Sequence, residues 1–151
     1  MADVESKDQK EWFYSDVVKE HFMNPKNIAL SQEQIDIIEP NGLGEVGSPA
    51  CGDVMKMWIH VEQDKITKCV WKTFGCASAI ASTSMLSLMI TENGGMKLAD
   101  AMNVTPKDII TRLQGLPTVK IHCSVLGDQA LRAAIKDYQN LLQKDYALAK
   151  K

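Results

Sequence analysis

The chain has 151 residues, which suits one domain that buries a hydrophobic core and needs neither disulfides nor metal to fold. Its 17 Lys and Arg against 19 Asp and Glu give a formal charge of −2, and the absence of any basic block excludes nucleic acid as an expected partner. The longest apolar-rich stretch, residues 77–90, is shorter than the roughly 20 residues that span a bilayer, so we expect no membrane insertion. Four cysteines without a secretory signal indicate a reducing, cytoplasmic compartment.

The N-terminal third predicts a tail, a short helix and a loop. Residues 1–11 are polar enough for a flexible tail, and we expect a single domain over residues 12–147. Residues 14–22 predict a helix with Ser15 as N-cap, which stops before an Asn-Pro pair because the residue ahead of proline is pushed out of the α region. A loop rich in Asn, Gly and Pro is expected to continue to about residue 50.

The middle of the chain predicts a β-hairpin followed by a buried helix. Residues 52–61 and 65–74 have the composition of two antiparallel strands, with the sequence QDK as their turn. After Cys76 the small and apolar residues run nearly all round a helix, which ends near Asn93 and is expected to be buried on most sides.

The C-terminal part predicts further helices, at residues 97–102, 106–113 and 124–147. The second is opened by Thr105 as cap and Pro106 at the first helical position. The last places a stripe of side chains on one face, at Leu131, Ile135, Tyr138 and Leu142. The predicted fold class is α+β, with a small antiparallel sheet of about three strands packed against several helices.

Cys51 and Asp53 are the first pair of candidate site residues. They lie two apart at the start of a predicted strand, so a strand that begins by Cys51 would project both side chains from the same face. Gly52 between them would leave the approach open. The alternative is that Asp53 is a solvated edge charge and Cys51 an ordinary loop cysteine, because a Cys-x-Asp pattern alone is weak.

Cys76 and Cys123 both stand at predicted helix N-termini. Unpaired N–H groups and the positive end of the helix dipole favour the thiolate there, so we expect the pKa of both thiols to be lowered. Both sulfurs would then be better nucleophiles and metal ligands. The alternative is that they are small buried hydrophobic residues, the usual role of a free cysteine.

His122 stands beside Cys123 and completes the candidate set, whereas Cys69, His21 and His60 are expected to be packing or surface residues. Three thiols with an imidazole and a carboxylate could hold zinc tetrahedrally or iron in a sulfide cluster. The chain has no C-x-x-C, so such a site would exist only after folding brings separate segments together. A catalytic Cys–His pair is disfavoured because neighbouring residues on a helix diverge by about 100°.

Three motifs containing these residues resemble the IscU/NifU family of iron–sulfur cluster assembly scaffolds. They are SPACGDVMKM at 48–57, KTFGCASAIASTS at 72–84 and VKIHCSVLG at 119–127. Residues 14–28 are similar to that family's first helix and loop, and residues 130–138 to its last helix.

The resemblance implies a non-enzymatic scaffold that receives persulfide sulfur from a cysteine desulfurase, binds iron and passes the finished cluster to apo-proteins. It implies that Cys51, Cys76 and Cys123 bind the cluster, with Cys123 as persulfide acceptor, and that Asp53 and His122 are further ligands. The implied cargo is a 2Fe–2S cluster, or a 4Fe–4S cluster in a homodimer, built from Fe2+. Zn2+ is implied for the cluster-free form, and a ferredoxin or another electron donor as a further partner.

The chain departs from the family pattern at two positions, one inside these motifs and one in the segment LPTVK at 116–120. Thr118 replaces a second proline in the segment by which the bacterial scaffold is recognised by an Hsp70-type chaperone, so the resemblance does not carry that partner over. Ala77 replaces a glycine after Cys76. Two alternative functions use the same residues: a zinc-dependent sulfur acceptor or sulfurtransferase, and a structural zinc domain that would unfold without metal.

Overall fold

The computed structural model describes residues 15–48, 53–74, 77–115 and 121–149. Their fold is α+β, as predicted: one antiparallel sheet of four strands, in the order β1-β2-β3-β4, is covered by helices. The strands are β1 (Gly42–Ser48), β2 (Asp53–Glu62), β3 (Lys65–Phe74) and β4 (Met96–Lys97). The α-helices are α1 (Asp16–Met23), α2 (Gln32–Asp36), α3 (Ala77–Thr91), α4 (Leu98–Ala101), α5 (Pro106–Arg112) and α6 (Ile121–Ala149).

Helix α1 confirms the predicted start and end signals. The hydroxyl of Ser15 accepts a hydrogen bond from the amide of Val18 at 3.1 Å and donates one to the carbonyl of Leu113 at the end of α5. The helix ends at Met23, and Asn24 is its C-cap. Ser15 therefore caps α1 and also links α1 to the residue that follows α5.

The central hairpin of β2 and β3 is also confirmed. Its two-residue turn, Gln63–Asp64, has both residues at positive φ, which matches the right-handed twist of the flanking strands. Alternate residues of β2 point into the core, where Met55, Met57 and Ile59 are fully buried; α6 packs against β2, and α3 packs against β3. β4 is a strand of two residues beside β3, in which Met96 and Lys97 pair with the first residues of β3.

The expected loop to residue 50 was wrong in part, because it contains α2 and the whole of β1. β1 was missed because glycine is a poor strand residue. The reason for these glycines is tertiary: a β-carbon on Gly42 would lie 2.6 Å from the carbonyl oxygen of Ala134, and one on Gly44 would lie 2.0 Å from that of Ala130. β1 and α6 therefore approach each other backbone to backbone.

Helix α3 is buried nearly all round, as its sequence predicted. Two of the buried hydroxyls along it bind the loop after α1: Ser84 accepts a hydrogen bond from the amide of Lys26 at 2.7 Å, and Ser87 donates one to the carbonyl of Lys26 at 3.1 Å. The indole N–H of Trp71 donates to the same carbonyl at 2.8 Å. α3, β3 and the loop after α1 are thus held together by one set of hydrogen bonds.

Helix α6 begins earlier and extends further than the predicted 124–147. Leu131 and Ile135 are fully buried, but Leu142 is about half exposed, so the predicted apolar stripe leaves the core before the helix ends. Within the described ranges, no helix has the length and apolar character required to cross a membrane.

Candidate functional site

Three of the five predicted site residues lie at the starts of described elements. Asp53 is the first residue of β2, and His122 and Cys123 are the second and third residues of α6. Cys51 and Cys76 lie outside the described residues. The neighbouring backbone nevertheless defines where the chain enters and leaves each of the three segments.

The ends of three strands meet at one end of the sheet. Ser48 at the end of β1 is the register partner of Asp53, so the connection that contains Cys51 begins and ends at adjacent points. Val54 is the register partner of Phe74, the last residue of β3. Only two residues, one of them Cys76, separate Phe74 from the start of α3. Two of the three cysteine segments are therefore connected to strands at the same end of the sheet.

The first turn of α6 lies at the same end of the sheet. Because Gly42 faces Ala134 and Gly44 faces Ala130, α6 runs antiparallel to β1. The four residues from Gly44 to Ser48 advance about 13 Å along a strand. The eight residues from Ala130 back to His122 advance about 12 Å along a helix. The backbone of the His122–Cys123 segment thus lies at the height of Ser48.

Helices α3 and α6 both begin at this end of the molecule. They touch one turn or more below it, where Thr83 and Leu86 pack against Gly127. Neither helix has an acidic residue in its first turn to offset the positive end of its dipole. Two helix N-termini and three strand ends therefore surround the segments that contain the candidate residues.

An aromatic side chain stands exposed beside this region. Phe74, two residues before Cys76, is 66% exposed, and the ammonium of Lys72 lies 5.9 Å from the centre of its ring. On the same outer face of the sheet, Lys56 pairs with Glu45 at 3.8 Å. The surface next to the candidate site therefore combines an apolar ring with two lysines.

Cys69, His21 and His60 have packing roles, as expected. Cys69 is buried in β3, and burial raises the pKa of its thiol far above the ordinary value, so it stays protonated. The Nδ1 atom of His21 lies 2.7 Å from the Ser84 hydroxyl, and burial together with nearby Lys26 lowers the pKa of the imidazole. His60 faces the carbonyl of Glu39 and the carboxylate of Glu62, each at 2.8 Å, and these acceptors raise its pKa.

A buried polar group was missed by the sequence reasoning. Asp128, five residues after Cys123, is 1% exposed; one carboxylate oxygen accepts from Arg132, and burial raises the pKa of the carboxyl. On the facing helix, the buried hydroxyl of Thr83 has no hydrogen-bond partner among the residues that the structure describes. The i, i+4 spacing of Asp128 and Arg132 could have indicated the ion pair, but its burial depends on the packing of α3.

No competing metal centre is present in the described part of the chain, where no group of three or more His, Cys, Asp or Glu could hold a metal ion. The arrangement thus defines a class of protein: a small α+β domain whose cysteine-bearing segments collect at one end of an antiparallel sheet.

Comparisons with known proteins place the chain within that class. The model of the NifU-like N terminal domain matches residues 13–145. The chain is 44% identical to "Iron sulfur cluster assembly protein 1" of Trachipleistophora hominis, over 87% of this chain and 89% of the relative. It is 46% identical to "Iron-sulfur cluster assembly scaffold protein IscU" of Aquifex aeolicus, over 83% and 75%.

The chain therefore belongs to the NifU-like N-terminal domain family. It spans 43% of the length of another relative, "Nitrogen fixation protein NifU" of Nostoc sp., to which it is 46% identical. Among solved structures, a NifU-like protein (N-terminal) from Brucella abortus has the same fold, with a TM-score of 0.65 at 15% identity, covering 87% of this chain and 98% of that one.

Proposed function

We propose that this protein is a scaffold on which iron–sulfur clusters are assembled and from which they pass to apo-proteins. The observation that carries the proposal is the meeting of three strand ends and two helix N-termini around the segments of the motif residues. Membership of the NifU-like family, with relatives named as cluster assembly proteins, supports it. The scaffold domain extends over residues 12–147.

The ligands in this proposal are Cys51, Asp53, Cys76, His122 and Cys123. Thiolates are the preferred ligands of iron in sulfide clusters, and helix N-termini favour the thiolate form at Cys76 and Cys123. Asp53 contributes a harder oxygen ligand, which holds the cluster less firmly than a fourth thiolate would. A weaker ligand suits a cluster that has to leave.

Cys123 is the sulfur acceptor. Its thiolate attacks the terminal sulfur of a persulfide on the desulfurase; the S–S bond breaks, the desulfurase cysteine departs as a thiolate, and Cys123 becomes the persulfide. Each transferred sulfur then needs two electrons to become sulfide, and a ferredoxin-type donor supplies them. His122 diverges from Cys123 by about 100° on the helix, so it acts as an exchangeable ligand rather than as the base of a catalytic pair.

The partners follow from this chemistry: a cysteine desulfurase, an electron donor and apo-protein acceptors, in a reducing cytoplasmic compartment. The cargo is a 2Fe–2S cluster on one chain, or a 4Fe–4S cluster shared by a homodimer, and Zn2+ occupies the ligands of the cluster-free form. An Hsp70-type chaperone is not included, because Thr118 stands where its recognition segment has a proline.

Anaerobic reconstitution tests the proposal. Purified protein incubated with Fe2+, cysteine, a thiol reductant as electron source and a catalytic amount of desulfurase should develop visible absorption and contain acid-labile sulfide in proportion to iron. A colourless protein without sulfide would refute the scaffold function.

The same experiment separates the second candidate, a zinc-dependent sulfur acceptor. Persulfide on the protein is measured by mass spectrometry with and without Zn2+. The scaffold should take up sulfur without zinc and convert it into cluster when iron is present. Sulfur uptake that requires zinc, with no cluster under any condition, would replace the scaffold by the zinc-dependent function.

A further inference from the structure

Gly127 lies in the interior of α6 without a packing reason to be glycine. A β-carbon there would meet only side-chain atoms, Leu86 Cδ2 and Thr83 Oγ1, both at 3.4 Å, which is ordinary contact. Gly42 and Gly44 are different, because a β-carbon on either would collide with the backbone of α6. Glycine is also the residue least favourable to a helix interior after proline. Its presence at position 127 weakens α6 locally.

An unpaired polar atom lies at the same level of the helix. The hydroxyl of Thr83, fully buried on α3, faces the Gly127 position and has no hydrogen-bond partner within the described residues. A buried polar atom without a partner destabilises the closed packing, because opening returns it to water.

The helix is firmly held beyond this turn. The side chains of Ala130, Leu131, Ala134 and Ile135 are fully buried, and Ala130 and Ala134 contact the glycines of β1. The guanidinium of Arg132 donates to Asp128 and, at 3.2 Å, to the carbonyl of Val104. A weak turn therefore separates the first residues of α6 from a well-packed remainder.

We propose that Gly127, with the unpaired hydroxyl of Thr83, forms a hinge at which residues 121–126 open while the rest of α6 stays packed. The opening itself needs no ligand. The role of the opening in cluster release rests on the proposed function. Opening would carry His122 and Cys123 away from Cys51, Asp53 and Cys76, and would release a cluster without unfolding the sheet.

Native-state hydrogen exchange of the cluster-free full chain in low urea tests the hinge. The amides of residues 125–128 bond to carbonyls of residues 121–124, so their exchange reports the opening. They should exchange with little dependence on urea, whereas the amides of residues 134–138 should depend on it steeply. Gly127→Ala should slow exchange at 125–128 about fivefold, the effect expected from helix propensity.

Matched variants separate the hinge from global unfolding. Ile135→Val should accelerate exchange at 134–138 about two- to tenfold and leave 125–128 unchanged. Thr83→Val, which removes the unpaired hydroxyl, should slow exchange at 125–128. Thr91→Val is the control for Thr83→Val, because the Thr91 hydroxyl already donates a hydrogen bond to the carbonyl of Ser87 at 2.7 Å. Thr91→Val should not slow amide exchange at 125–128.

The hinge is overturned if both groups of amides show the same urea dependence, if Ile135→Val accelerates both equally, or if neither Gly127→Ala nor Thr83→Val slows 125–128. These measurements use neither iron nor sulfide. Failure of the hinge would leave reconstitution unaffected, and failure of reconstitution would refute the scaffold while the exchange result stands.

Discussion

Gly44 and Ala130 are in backbone contact: a β-carbon on Gly44 would lie 2.0 Å from the Ala130 carbonyl oxygen. No side-chain rotation relieves that overlap, so any larger residue has to push β1 away from α6. The contact fixes the distance between the strand that precedes Cys51 and the helix that contains Cys123.

Gly44→Ala should therefore lower the free energy of unfolding, by about 1–3 kcal/mol, the usual effect of forcing an extra methyl into a packed interior. Urea unfolding of the cluster-free protein, followed by circular dichroism, measures it. Gly127→Ala is the control, since its new methyl would meet only side chains at 3.4 Å and should not destabilise. A Gly44→Ala midpoint equal to that of wild type would show that the two backbones are further apart.

On the proposed ligation, Cys76→Ser should prevent stable cluster assembly, because serine would replace a proposed thiolate ligand by a poorly ionised hydroxyl. Acid-labile sulfide per chain, measured after reconstitution, should fall close to background. Cys69→Ala is the matched control: its thiol is buried and protonated in β3, so cluster yield should equal that of wild type. Equal losses in both variants would mean that overall folding, rather than ligation, limits assembly.

On the proposed ligation, Asp53→Ala should slow cluster loss severalfold, because it would remove the hard oxygen ligand and hinder the entry of solvent. The decay of visible absorbance after exposure to air gives the lifetime. Glu45→Ala removes a carboxylate from the neighbouring strand, where it pairs with Lys56, and should leave the lifetime unchanged. If Asp53→Ala and wild type lose cluster at the same rate, Asp53 has no part in lability.

His21 should make stability depend on pH. Its pKa is lowered in the folded state by burial and by Lys26, so unfolding takes up a proton as the pH falls below about 6.5. The stability that the neutral ring contributes to the folded state is present above that pH and is lost as the pH falls toward the folded-state pKa. His21→Gln, which has no such titration, should lose less stability than wild type between pH 7 and pH 5.

His60 should show the opposite trend in the same unfolding experiment. Its hydrogen bond to the Glu39 carbonyl and its contact with Glu62 raise the pKa of His60. The stability that His60 contributes is therefore fully present below about pH 6.5 and is lost as the pH rises through the folded-state pKa. His60→Gln should therefore destabilise more at pH 5 than at pH 8. Parallel pH profiles for the two variants would contradict both assignments.

Local signals predicted most of the fold. Ser15 and Thr105 are caps whose side-chain hydrogen bonds form within a few residues, and the hairpin of β2 and β3 needs only a short turn between two apolar runs. β1 was missed because the reason for its glycines lies on α6, far along the chain. The pairing of α6 with β1 cannot be read from either segment alone.

Local patterns placed Asp53 at a strand start and Cys123 at a helix N-terminus, and in the structure they are the first residue of β2 and the third residue of α6. That the five candidate residues form one site stays a prediction. The burial of Thr83 and Asp128 was not foreseen, because burial of a polar group is a property of two packed helices. Single-element patterns contain no information on that packing.

The contact between β1 and α6 also determines when the protein can acquire its shape during synthesis. Eighty-five of the 151 residues lie between Gly44 and Ala130, so β1 emerges from the ribosome long before the helix on which it rests. Until α6 follows, the segment with Cys51 has no fixed distance to the segment with Cys123. Chains that end before α6 should therefore lack the arrangement that the proposed scaffold function requires.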